Sequence, residues 1–496
     1  MSRSILLCCR GEIAHRFTRT CRVLGFKTIQ LYTAEEAGAE FVLAADSAIQ
    51  IDSWRPDQLA PIAIASALEA GADAIAPGYG ALAENADFAA ACAAARLTFI
   101  GPAAQAIART GDKIAARAAA QAAGVPVVPG DAVSDDQAQA RLLADGMGYP
   151  VLIKAALGGG GRGIRVVLVA SEFAQAFEEV KREAQLAFGS AQLYIERFLG
   201  ETVRHVEVQV LGDTHGNLVH LGTRECSVQR RRQKIVEEAP APNLSDAVRE
   251  RIHRAALAMA HEVGYDSAGT VEFLVDANEQ FYFIEMNARI QVEHPVSEAI
   301  TGLDLVAEML RAAFGEALSV TQADIRFSGH AIEFRICSED AHAGFMPTGG
   351  QVTAYRAPAG PGIRVDAGVH LGALQSAQFD SLCLKLIAHG STRDIALRRG
   401  AQALAELRLE GFSSNIPFHR WLLADAAFQR GVYDLATTQR FTDHSAIPAP
   451  TLDALHVAAA LALQLGLSAA DAVAAADGPA LSPWVLRHAR VGLTAF

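Results

Sequence analysis

The sequence predicts a multidomain protein of mixed α/β and α+β class. Its 496 residues are enough for about three domains of ordinary size. In roughly the first hundred residues, short apolar runs alternate with helical patterns, which is typical of an α/β domain. Strand patterns then follow one another closely between residues 192 and 225. Residues 330–390 are also rich in strand and turn signals, as in α+β domains.

The N-terminal domain is predicted from a β-α-β opening. Residues 4–9 (SILLCC) form a buried strand, a helical pattern continues to about Leu24, and Gly25 precedes a second strand, KTIQLY. Further strands are predicted at SAIQI, ADAIAP and LTFIGP, with alanine-rich helices between them. Dinucleotide binding is not supported, because no G-x-G-x-x-G motif follows the first strand.

A glycine-rich loop lies beyond the Pro/Gly-rich linker GVPVVPG. Residues 154–163 (KAALGGGGRG) connect two predicted strands, and consecutive glycines let backbone N–H groups approach an anion closely. The Gly-Lys-Ser/Thr of a Walker A motif is missing. The segment is either a mobile surface loop or a lid over nucleotide phosphates, and Lys154 on the flanking strand favours the lid.

An amphipathic helix is predicted from Ser171, with Gly189 as its stop signal. One face carries apolar residues at helical spacing: Phe173, Phe177, Val180, Ala184 and Phe188. Strands follow at QLYIERFL, HVEVQVLGD and LVHLGTRE.

A concentration of polar side chains marks the segment FIEMNARIQVEH. If residues 281–293 are one strand, one face is apolar and the other is wholly polar from Glu285 onward. The polar face carries Glu285, Asn287, Arg289, Gln291 and Glu293. An exposed face would more often carry Lys, Thr and Ser. This mixture of carboxylate, amide and guanidinium groups therefore predicts a functional site.

The preceding strand, GTVEFLVD, is predicted to pair with this one in a hairpin. If residues 277–280 form the loop, Glu272 lies directly opposite Glu285, where like charges destabilise a sheet. A divalent cation would remove that repulsion, and two carboxylates with the Asn287 carbonyl are hard oxygen ligands that suit magnesium. A register shifted by one residue would instead place one glutamate in solvent.

Five cations and one acid occur in the segment TRECSVQRRRQK, residues 223–234. Such a run is generally a solvated face or an RNA-binding patch. This one has no interleaved aromatic residues, and the net charge of −12 opposes nucleic-acid and anionic-membrane binding. A cluster that gathers small oxyanions is the more specific interpretation.

The composition favours a reduced, cytoplasmic protein. The seven cysteines include no C-x-x-C pair, which argues against a disulfide framework and a zinc ribbon. No uninterrupted apolar run reaches the length needed to cross a membrane.

Together these motifs resemble those of biotin carboxylases, the ATP-grasp subunits or domains of biotin-dependent carboxylases. The motifs RGEIA, PGYG, GDK, GGGGRG, RHVEVQV, QRRRQKIVEEAPAP and FIEMNARIQVEHPVSEAITGLDLV occur in the order found in that family. GHAIEFRI and FDSLCLKLIAHG extend the resemblance to about residue 440. The segment from EMN to QVEHPV is the most specific.

The resemblance implies a division into domains. A Rossmann-like, pre-ATP-grasp domain would span residues 1–112, and an ATP-grasp core would span 113–326, with a glycine-loop lid at about 130–203. A C-terminal biotin carboxylase domain would occupy 327–442, and an alanine-rich helical tail would occupy 443–496.

The implied activity is ATP-dependent carboxylation of biotin on a carrier protein, with bicarbonate as the carboxyl donor and carboxyphosphate as the intermediate. This is the first half-reaction of an acyl-CoA carboxylase or a related enzyme, and it would use ATP and two Mg²⁺ or Mn²⁺ ions. The implied partners are a second copy of the chain, a biotin carboxyl carrier and a carboxyltransferase subunit. The acceptor stays open among acetyl-, propionyl- and methylcrotonyl-CoA, pyruvate and urea.

The resemblance also implies roles for individual residues. ATP would be held by Lys113, Lys154, Gly160, Gly161, Glu196, Arg197, Phe198, Leu199, His205, Gln229, Arg232, Glu272 and Glu285. The metal ligands would be Glu272, Glu285 and Asn287. Bicarbonate would contact Lys234, Arg289, Gln291 and Val292, and Glu293 would deprotonate it. Biotin would contact Tyr79 and Arg335. The catalytic set is Lys234, Arg289, Glu293 and Arg335.

Several positions depart from the family pattern. Cys9 replaces a usual asparagine, Ala76 a histidine, Arg232 a histidine or asparagine, SAQF an aromatic or proline-rich run, and Cys337 a polar or aromatic residue. These departures raise the alternative of a catalytically silent scaffold protein, although burying the charged residues without ligands would be costly. A different ATP-grasp ligase is the other alternative, and QVEHPV and Arg335 speak against it.

The sequence carries no recognisable site for biotin attachment. Biotin is normally attached to a lysine between methionines, and none of the six methionines here adjoins a lysine. We therefore expect the chain to act on a separate carrier protein and not to be biotinylated itself.

Overall fold

The computed structural model describes residues 3–133, 136–155, 163–189, 192–376 and 379–443. Residues 444–496 of the predicted alanine-rich tail and the glycines Gly160 and Gly161 lie outside these residues. No helix in the described ranges is both long enough and apolar enough to cross a membrane.

The N-terminal region is a parallel sheet flanked by helices. Its strands are β1 (Ser4–Leu7), β2 (Lys27–Tyr32), β3 (Ser47–Gln50), β4 (Ala74–Ala76) and β5 (Thr98–Phe99), arranged in the order β3-β2-β1-β4-β5. Its helices are α1 (Gly11–Val23), α2 (Glu40–Leu43), α3 (Pro56–Glu69), α4 (Ala86–Ala94) and α5 (Ala104–Gly111), with a 3₁₀ turn at Ala34–Glu36. The predicted β-α-β opening and all five strands are confirmed.

A four-stranded antiparallel sheet follows helix α6 (Lys113–Ala122). Its strands are β6 (Gly130–Val133), β7 (Val151–Ala155), β8 (Ile164–Val167) and β9 (Leu193–Arg197), in the order β6-β9-β7-β8. Helices α7 (Gln137–Met147) and α8 (Phe173–Phe188) pack on it. The helix predicted from Ser171 is confirmed: a 3₁₀ turn at Ala170–Glu172 leads into α8, and Gly189 ends it at a left-handed φ of 69°.

The largest sheet among the described residues, here called the central sheet, has eight antiparallel strands. Its strands are β10 (Arg204–Gly212), β11 (Leu218–Arg230), β12 (Gln233–Ala239), β13 (Ala268–Val275), β14 (Phe281–Asn287), β15 (His330–Cys337), β20 (Ile363–Ala367) and β22 (Leu382–Gly390). The order is β14-β13-β10-β11-β12-β15-β22-β20. Because β12 pairs directly with β15, this sheet continues across the domain boundary expected at residues 326 and 327.

The remaining described elements are short strand pairs and helices. Short strand pairs join β16 (Glu339–Asp340) to β17 (Met346–Pro347), β18 (Gly350–Gln351) to β21 (Leu374–Gln375), and β19 (Ala354–Arg356) to β23 (Arg408–Glu410). The helices are α9 (Asp246–Glu262), α10 (His294–Thr301), α11 (Leu305–Ala313), α12 (Arg393–Glu406), α13 (Ile416–Ala424), α14 (Ala426–Gln429) and α15 (Gln439–Asp443).

The strand predicted for residues 281–293 is shorter than expected. Strand β14 ends at Asn287, and residues 288–293 form a turn that leads into α10, so the prediction is wrong for those six positions. Pro295 lies in the first turn of α10, where the missing N–H of proline is tolerated, so the chain has to leave the strand before the helix begins at His294.

A β-bulge in β14 also changes the predicted faces. Glu272 pairs with Glu285 and Phe273 pairs with Phe283, so Ile284 is the extra residue. As a result Phe283 and Met286 are buried in the same core cluster, although the expected alternation places them on opposite faces. The pairing of Glu272 with Glu285 itself is confirmed.

Candidate active site

Three glutamates form a row across neighbouring strands of the central sheet, here called the acid row. Glu207 of β10 lies opposite Glu272 of β13, and Glu272 lies opposite Glu285 of β14. Glu207 and Glu272 are buried, and Glu285 is half-buried. Because like charges that face one another destabilise a sheet, the acid row requires nearby cations.

Lys234 of β12 supplies one of these cations. Its Nζ lies 2.5 Å from Glu207 Oε2, 2.9 Å from Glu272 Oε1 and 2.6 Å from Glu293 Oε1. Burial alone would lower the pKa of Lys234, but the three carboxylates outweigh burial and raise that pKa well above its usual value. The ammonium group is therefore a permanent positive charge beside the acid row.

Glu272 is also bound by a histidine and two amides. His205 Nε2 lies 2.9 Å from Glu272 Oε2, while Asn287 Nδ2 and Gln291 Nε2 donate to Glu272 Oε1 at 2.9 and 2.8 Å. Burial would raise the pKa of Glu272, but Lys234 and His205 hold it well below its usual range. Glu272 is thus an ionised carboxylate with fixed orientation.

Arg224 of β11 neutralises the other end of the acid row. Its Nε donates to Glu207 Oε1 at 2.5 Å, and its Nη2 donates to Gln291 Oε1 at 2.7 Å. The side chain is completely buried, and its further acceptors are Gln209, Thr270 and Ser297. Arg224 therefore ties three strands to the turn that follows β14.

Glu293 occupies the N-cap position of α10. One carboxylate oxygen faces Lys234, and the other accepts a hydrogen bond of 2.9 Å from Arg335 Nη2. Burial would raise the pKa of Glu293, but Lys234, Arg335 and Arg224 hold it well below its usual value. At neutral pH this buried side chain is an ionised proton acceptor.

The side chains expected to bind metal ions lie together at the end of β14. Burial and the facing Glu272 raise the pKa of Glu285, and Lys113 partly opposes that rise. Asn287 donates to Glu272 and accepts a 2.9 Å hydrogen bond from Arg289 at its Oδ1. Two carboxylates and an amide oxygen are a donor set that fits Mg²⁺ or Mn²⁺.

A second group of ligand atoms shares Glu272. Among the described residues, atoms of His205, Glu207 and Glu272 come within 4.8 Å of one another. The Lys234 ammonium, however, lies 2.5 Å from Glu207 and 2.9 Å from Glu272. Its positive charge opposes a metal ion there, so the Glu272–Glu285 side of the acid row fits a metal better.

The residues expected to hold ATP lie on the elements around Glu285. Lys113 is the first residue of α6, and burial lowers its pKa. The positive charges of Lys154 and Arg232 lower this pKa further, and the negative charges of Glu285 and Glu196 oppose the change. Lys154 forms an ion pair with Glu196 on the neighbouring strand β9. Arg197 is the last residue of β9, and Phe198 and Leu199 follow it in the chain.

His205 and Gln229 form a separate contact beside the acid row. Gln229 Nε2 lies 2.7 Å from His205 Nδ1 and donates to the Cys226 carbonyl at 2.7 Å. Burial would lower the pKa of His205, but Glu272 raises it above its usual value.

Arg289 and Val292 lie in the turn that follows β14, and each is bound by a different part of the protein. Glu84, in the N-terminal region, accepts hydrogen bonds from Arg289 Nε at 3.0 Å and from the Ala288 backbone at 3.1 Å. The Val292 carbonyl accepts a 2.9 Å hydrogen bond from Lys385. The turn is thereby fixed to both the N-terminal region and the central sheet.

Tyr79 and Arg335, the residues expected to contact biotin, are linked to buried acids. Tyr79 follows β4 and donates its hydroxyl to Glu12. Arg335 contacts Glu237 as well as Glu293. The Arg335 Nε atom is buried and has no acceptor among the described residues, so the guanidinium group keeps a donor for a ligand oxygen.

Three of the departures from the family pattern are Arg232, Cys9 and Ala76. Arg231 and Arg232 form the two-residue turn between β11 and β12, with φ of 50° and 65°. A left-handed conformation costs a residue other than glycine about 1–2 kcal/mol, less for asparagine. Cys9 is buried against Gly78, and Ala76 is buried in β4.

The other departures lie in the C-terminal part of the sheet and its loops. Cys337 is half-buried at the end of β15, where its backbone N–H donates to Asn415. Phe379 lies beneath the Arg10 guanidinium, 3.8 Å from ring centroid to Cζ. The neighbouring positions 377 and 378 are outside the described residues.

Several charged residues of this site were not predicted from the sequence: Glu84, Glu207, Arg224, Glu237 and Lys385. Glu207 had a usable signal, because RHVEVQV alternates polar and apolar residues and places it on the same face as His205. Arg224, Glu237 and Lys385 required knowledge of which strands pair, and Glu84, in a turn before α4, required knowledge of which turn contacts residues 288 and 289. Neither kind of information is local.

Glu285→Gln is expected to leave thermal stability without magnesium no lower than in the wild type, while Mg-ATP stabilises the variant only weakly. The raised pKa of Glu285 means that its negative charge is disfavoured in the folded protein, and the amide removes that charge and a metal ligand together. The measurement is thermal unfolding with and without Mg-ATP. Glu69→Gln, at an exposed position, is the control. Stabilisation of Glu285→Gln as large as that of the wild type would contradict the assignment.

Three family models match successive parts of the chain. The biotin carboxylase N-terminal domain matches residues 1–107, the ATP-binding domain of the carbamoyl-phosphate synthase L chain matches residues 112–321, and the biotin carboxylase C-terminal domain matches residues 333–440.

Curated relatives and solved structures resemble the chain over most of its length. Biotin carboxylase 1 of Bacillus subtilis is 45% identical over 88% of this chain and 97% of its own. One subunit of the pyruvate carboxylase of Methanothermobacter thermautotrophicus is 46% identical over 87% of this chain and 88% of its own. The biotin carboxylase domain dimer of the Hydrogenobacter thermophilus 2-oxoglutarate carboxylase was solved with MgADP, ADP and bicarbonate. It matches with a TM-score of 0.87 at 42% identity, over 90% of this chain and 99% of that one.

Proposed function

The chain belongs to the biotin carboxylase family, and we propose that it carboxylates biotin carried by a separate protein, as the first half-reaction of an acyl-CoA or related carboxylase. The enzyme is an ATP-dependent ligase that uses bicarbonate as the carboxyl donor. Carboxyphosphate is the intermediate in this proposal.

The environment of Glu293 is the observation that carries this proposal. An ionised, buried carboxylate lies between Lys234 and Arg335, and Lys234 also contacts the acid row. Such a cluster of buried charges is costly to maintain without ligands. This argues for a working active site and against a silent scaffold.

Glu293 is the proposed general base. It accepts the proton of bicarbonate as a bicarbonate oxygen bonds to the γ-phosphorus of ATP, and the bond to ADP breaks. The proposed anion contacts are Lys234, Arg289, Gln291 and Val292. Their positive charge and N–H groups stabilise the negative charge that the phosphate must tolerate in the transition state.

Substrate binding also strengthens this base. In the ligand-free protein Glu293 is a weak base, because Lys234 and Arg335 hold its pKa below the usual range. A general base is most effective when its pKa is near the working pH. If bicarbonate takes hydrogen bonds from Lys234, Glu293 loses part of that stabilisation, and its affinity for the proton rises.

The proposed metal ligands are Glu272, Glu285 and Asn287, and two Mg²⁺ or Mn²⁺ ions there would neutralise and align the phosphates of ATP. Lys113, Lys154, His205 and Arg232 are proposed to hold the nucleotide with the other residues named for ATP.

The second step moves the carboxyl group to biotin. The C–O bond of carboxyphosphate breaks to give carbon dioxide and phosphate, and the phosphate takes the N1 proton of biotin. The nitrogen then bonds to carbon dioxide. Arg335 would stabilise the negative oxygen of the biotin enolate, and Tyr79 would lie beside the ureido ring.

The test is ATP cleavage with and without bicarbonate, in the presence of Mg²⁺. We expect cleavage to depend on bicarbonate and carboxybiotin to form when a biotinylated carrier is added. Cleavage that is independent of bicarbonate would indicate another ATP-grasp ligase. Absence of cleavage and of nucleotide binding would indicate a scaffold.

The proposed partners are a second copy of this chain, a biotin carrier and a carboxyltransferase subunit. One relative is named as part of a pyruvate carboxylase, and one solved relative is a dimer, which supports both kinds of assembly.

After coexpression with a biotin ligase, intact mass spectrometry is expected to show no biotin adduct on this chain. The reason is that no methionine of the sequence adjoins a lysine, as it does at a biotin-attachment site. A known biotinylated carrier domain, expressed in the same cells, is the positive control. A mass increase equal to one biotin on this chain would overturn the prediction. Free biotin should be a poor substrate, because it lacks the remote binding energy of the carrier.

A further inference from the structure

Two buried acids face one another in the central sheet, and one of them contacts Arg335. Glu237 of β12 and Glu333 of β15 are direct partners in the central sheet, and both are completely buried. Two ionised carboxylates in this position would repel one another at short range. The buried site gives neither of them access to water, which would increase that cost.

The contacts of the two acids differ. Glu237 forms an ion pair with Arg335, whereas Glu333 forms no ion pair among the described residues. Apart from that ion pair, no oxygen of either acid has a hydrogen-bond partner among these residues. The cation that most opposes the raised pKa of Glu333 is Lys385, and its Nζ is directed to the Val292 carbonyl at 2.9 Å and to Glu12 Oε2 at 3.0 Å. An ionised Glu333 would therefore be buried without a donor, while a protonated Glu333 has its own O–H to offer to Glu237.

We propose that Glu237 and Glu333 hold one proton between them, and that this pair positions Arg335 while Glu293 changes its charge during the reaction. The proposal rests on the proposed function, because it deepens the role of Arg335. The proton stays on the pair throughout, so the pair keeps a single negative charge next to the guanidinium group.

The surrounding charges favour one proton on the pair. Burial raises the pKa of Glu237 to about 7; Arg335 and Lys234 oppose the rise and Glu293 adds to it. Burial also raises the pKa of Glu333 well above its usual value; Lys385 and Arg335 oppose this, and Glu237 and Glu293 add to it. Glu12, Asp366 and His294 are other titratable groups near Lys385. Asp366 lies opposite Lys385 on β20, and although burial would raise its pKa, Arg364 and Lys385 lower it. Burial holds the pKa of His294 well below its usual value, so it adds no positive charge.

Glu238 shows that burial alone does not protonate an acid in this sheet. It follows Glu237 on β12 and is equally buried, but it accepts two hydrogen bonds from Arg393, at 2.7 and 2.8 Å, and contacts His330. Burial would raise its pKa, yet these partners lower it to about 2. Glu238 is therefore a matched, ionised neighbour of the proposed pair.

The pair matters when Glu293 receives the proton of bicarbonate. Arg335 is shared between Glu293 and Glu237, and it loses one counter-charge at that moment. The charge left on Glu237 keeps the buried guanidinium paired. Arg335 can then turn about this contact and direct its free donors to a substrate oxygen.

Infrared spectroscopy of the full chain tests the proton directly. We expect the wild type at pH 7 to show a carboxylic-acid carbonyl band that shifts in D₂O. The difference spectrum against Glu333→Gln should contain this band, and the one against Glu238→Gln should not. The proposal is overturned if Glu333→Gln and Glu237→Gln both leave the acid bands of the wild type unchanged.

Kinetics test the positioning role. Glu237→Gln should lower kcat for biotin carboxylation by about 10-fold and leave the KM for ATP within about twofold, because Arg335 loses its second anchor. Unchanged kcat, or a rise in the KM for ATP that accounts for the whole loss, would overturn this role. If the wild type shows no bicarbonate-dependent ATP cleavage, the proposed function fails. The infrared result still shows whether Glu237 and Glu333 share a proton. If Glu237→Gln does not fold, the Glu333→Gln spectrum decides it alone.

Discussion

Glu293→Gln is expected to lower bicarbonate-dependent ATP cleavage by about 100-fold or more, the usual effect of removing a positioned general base. The amide has almost the same shape as the carboxylate and can still accept a hydrogen bond from Arg335. It cannot take a proton from bicarbonate. ATP binding should therefore persist, and the loss should appear in kcat. Initial rates at saturating ATP and varied bicarbonate, with ATP affinity measured separately, check both statements.

The matched control for this prediction is Glu298→Gln. Glu298 lies on the same helix, α10, and is buried like Glu293, but its partners are Arg16 and Arg364, away from the acid row. This variant should lose stability, because it breaks a buried ion pair. Its loss of turnover should be much smaller than that of Glu293→Gln. Near-normal turnover of Glu293→Gln would remove Glu293 from the role of base.

The parts of the fold that sequence analysis predicted are those that local patterns determine. Strands β1 and β2 were predicted correctly from short apolar runs on either side of a helical pattern, with Gly25 before β2. Helix α8 was predicted correctly from apolar residues at helical spacing and from its stop signal, Gly189. Strand β14 was predicted too long, although the sequence carried a signal for the helix that follows it: Pro295 lies in the first turn of α10.

The pairing of Glu272 with Glu285 was predicted correctly because two errors cancel. The hairpin loop spans residues 276–280, one residue more than expected, and this shifts the first pair to Val275 and Phe281. The bulge at Ile284 then adds one residue to β14 and restores the expected register beyond it. No local pattern reveals such a bulge, so a site that depends on strand register is predicted less securely than the strands themselves.

The cations and acids that support the site were missed for a related reason. Arg224, Glu237 and Lys385 come from three different strands, and their meeting depends on the order of strands in the eight-stranded sheet. The basic run that contains Arg224 indicated an oxyanion site. It did not indicate that this guanidinium group would be buried among Glu207, Gln291 and Thr270.

Arg335→Ser is expected to separate the two half-steps of the reaction. Carboxybiotin formation should fall by about 100-fold or more, as when a donor to a developing oxyanion is removed. Bicarbonate-dependent ATP cleavage should continue at a measurable rate. Arg335 helps to hold the pKa of Glu293 low, so its removal leaves a stronger base facing Lys234. ADP release and the transfer of labelled carbon from bicarbonate to the biotinylated carrier are measured in one reaction mixture.

Arg393→Ser is the control for Arg335→Ser, because Arg393 also pairs with a buried glutamate of β12, Glu238, but has no contact with Glu293 among the described residues. If Arg393→Ser lowers activity by destabilising the sheet, ADP release and carboxybiotin formation should fall together. The ratio of carboxybiotin to ADP should therefore drop only in Arg335→Ser. An equal loss of both readouts in Arg335→Ser would instead assign Arg335 to the phosphate site, since a group that acts only on biotin is not needed for ATP cleavage.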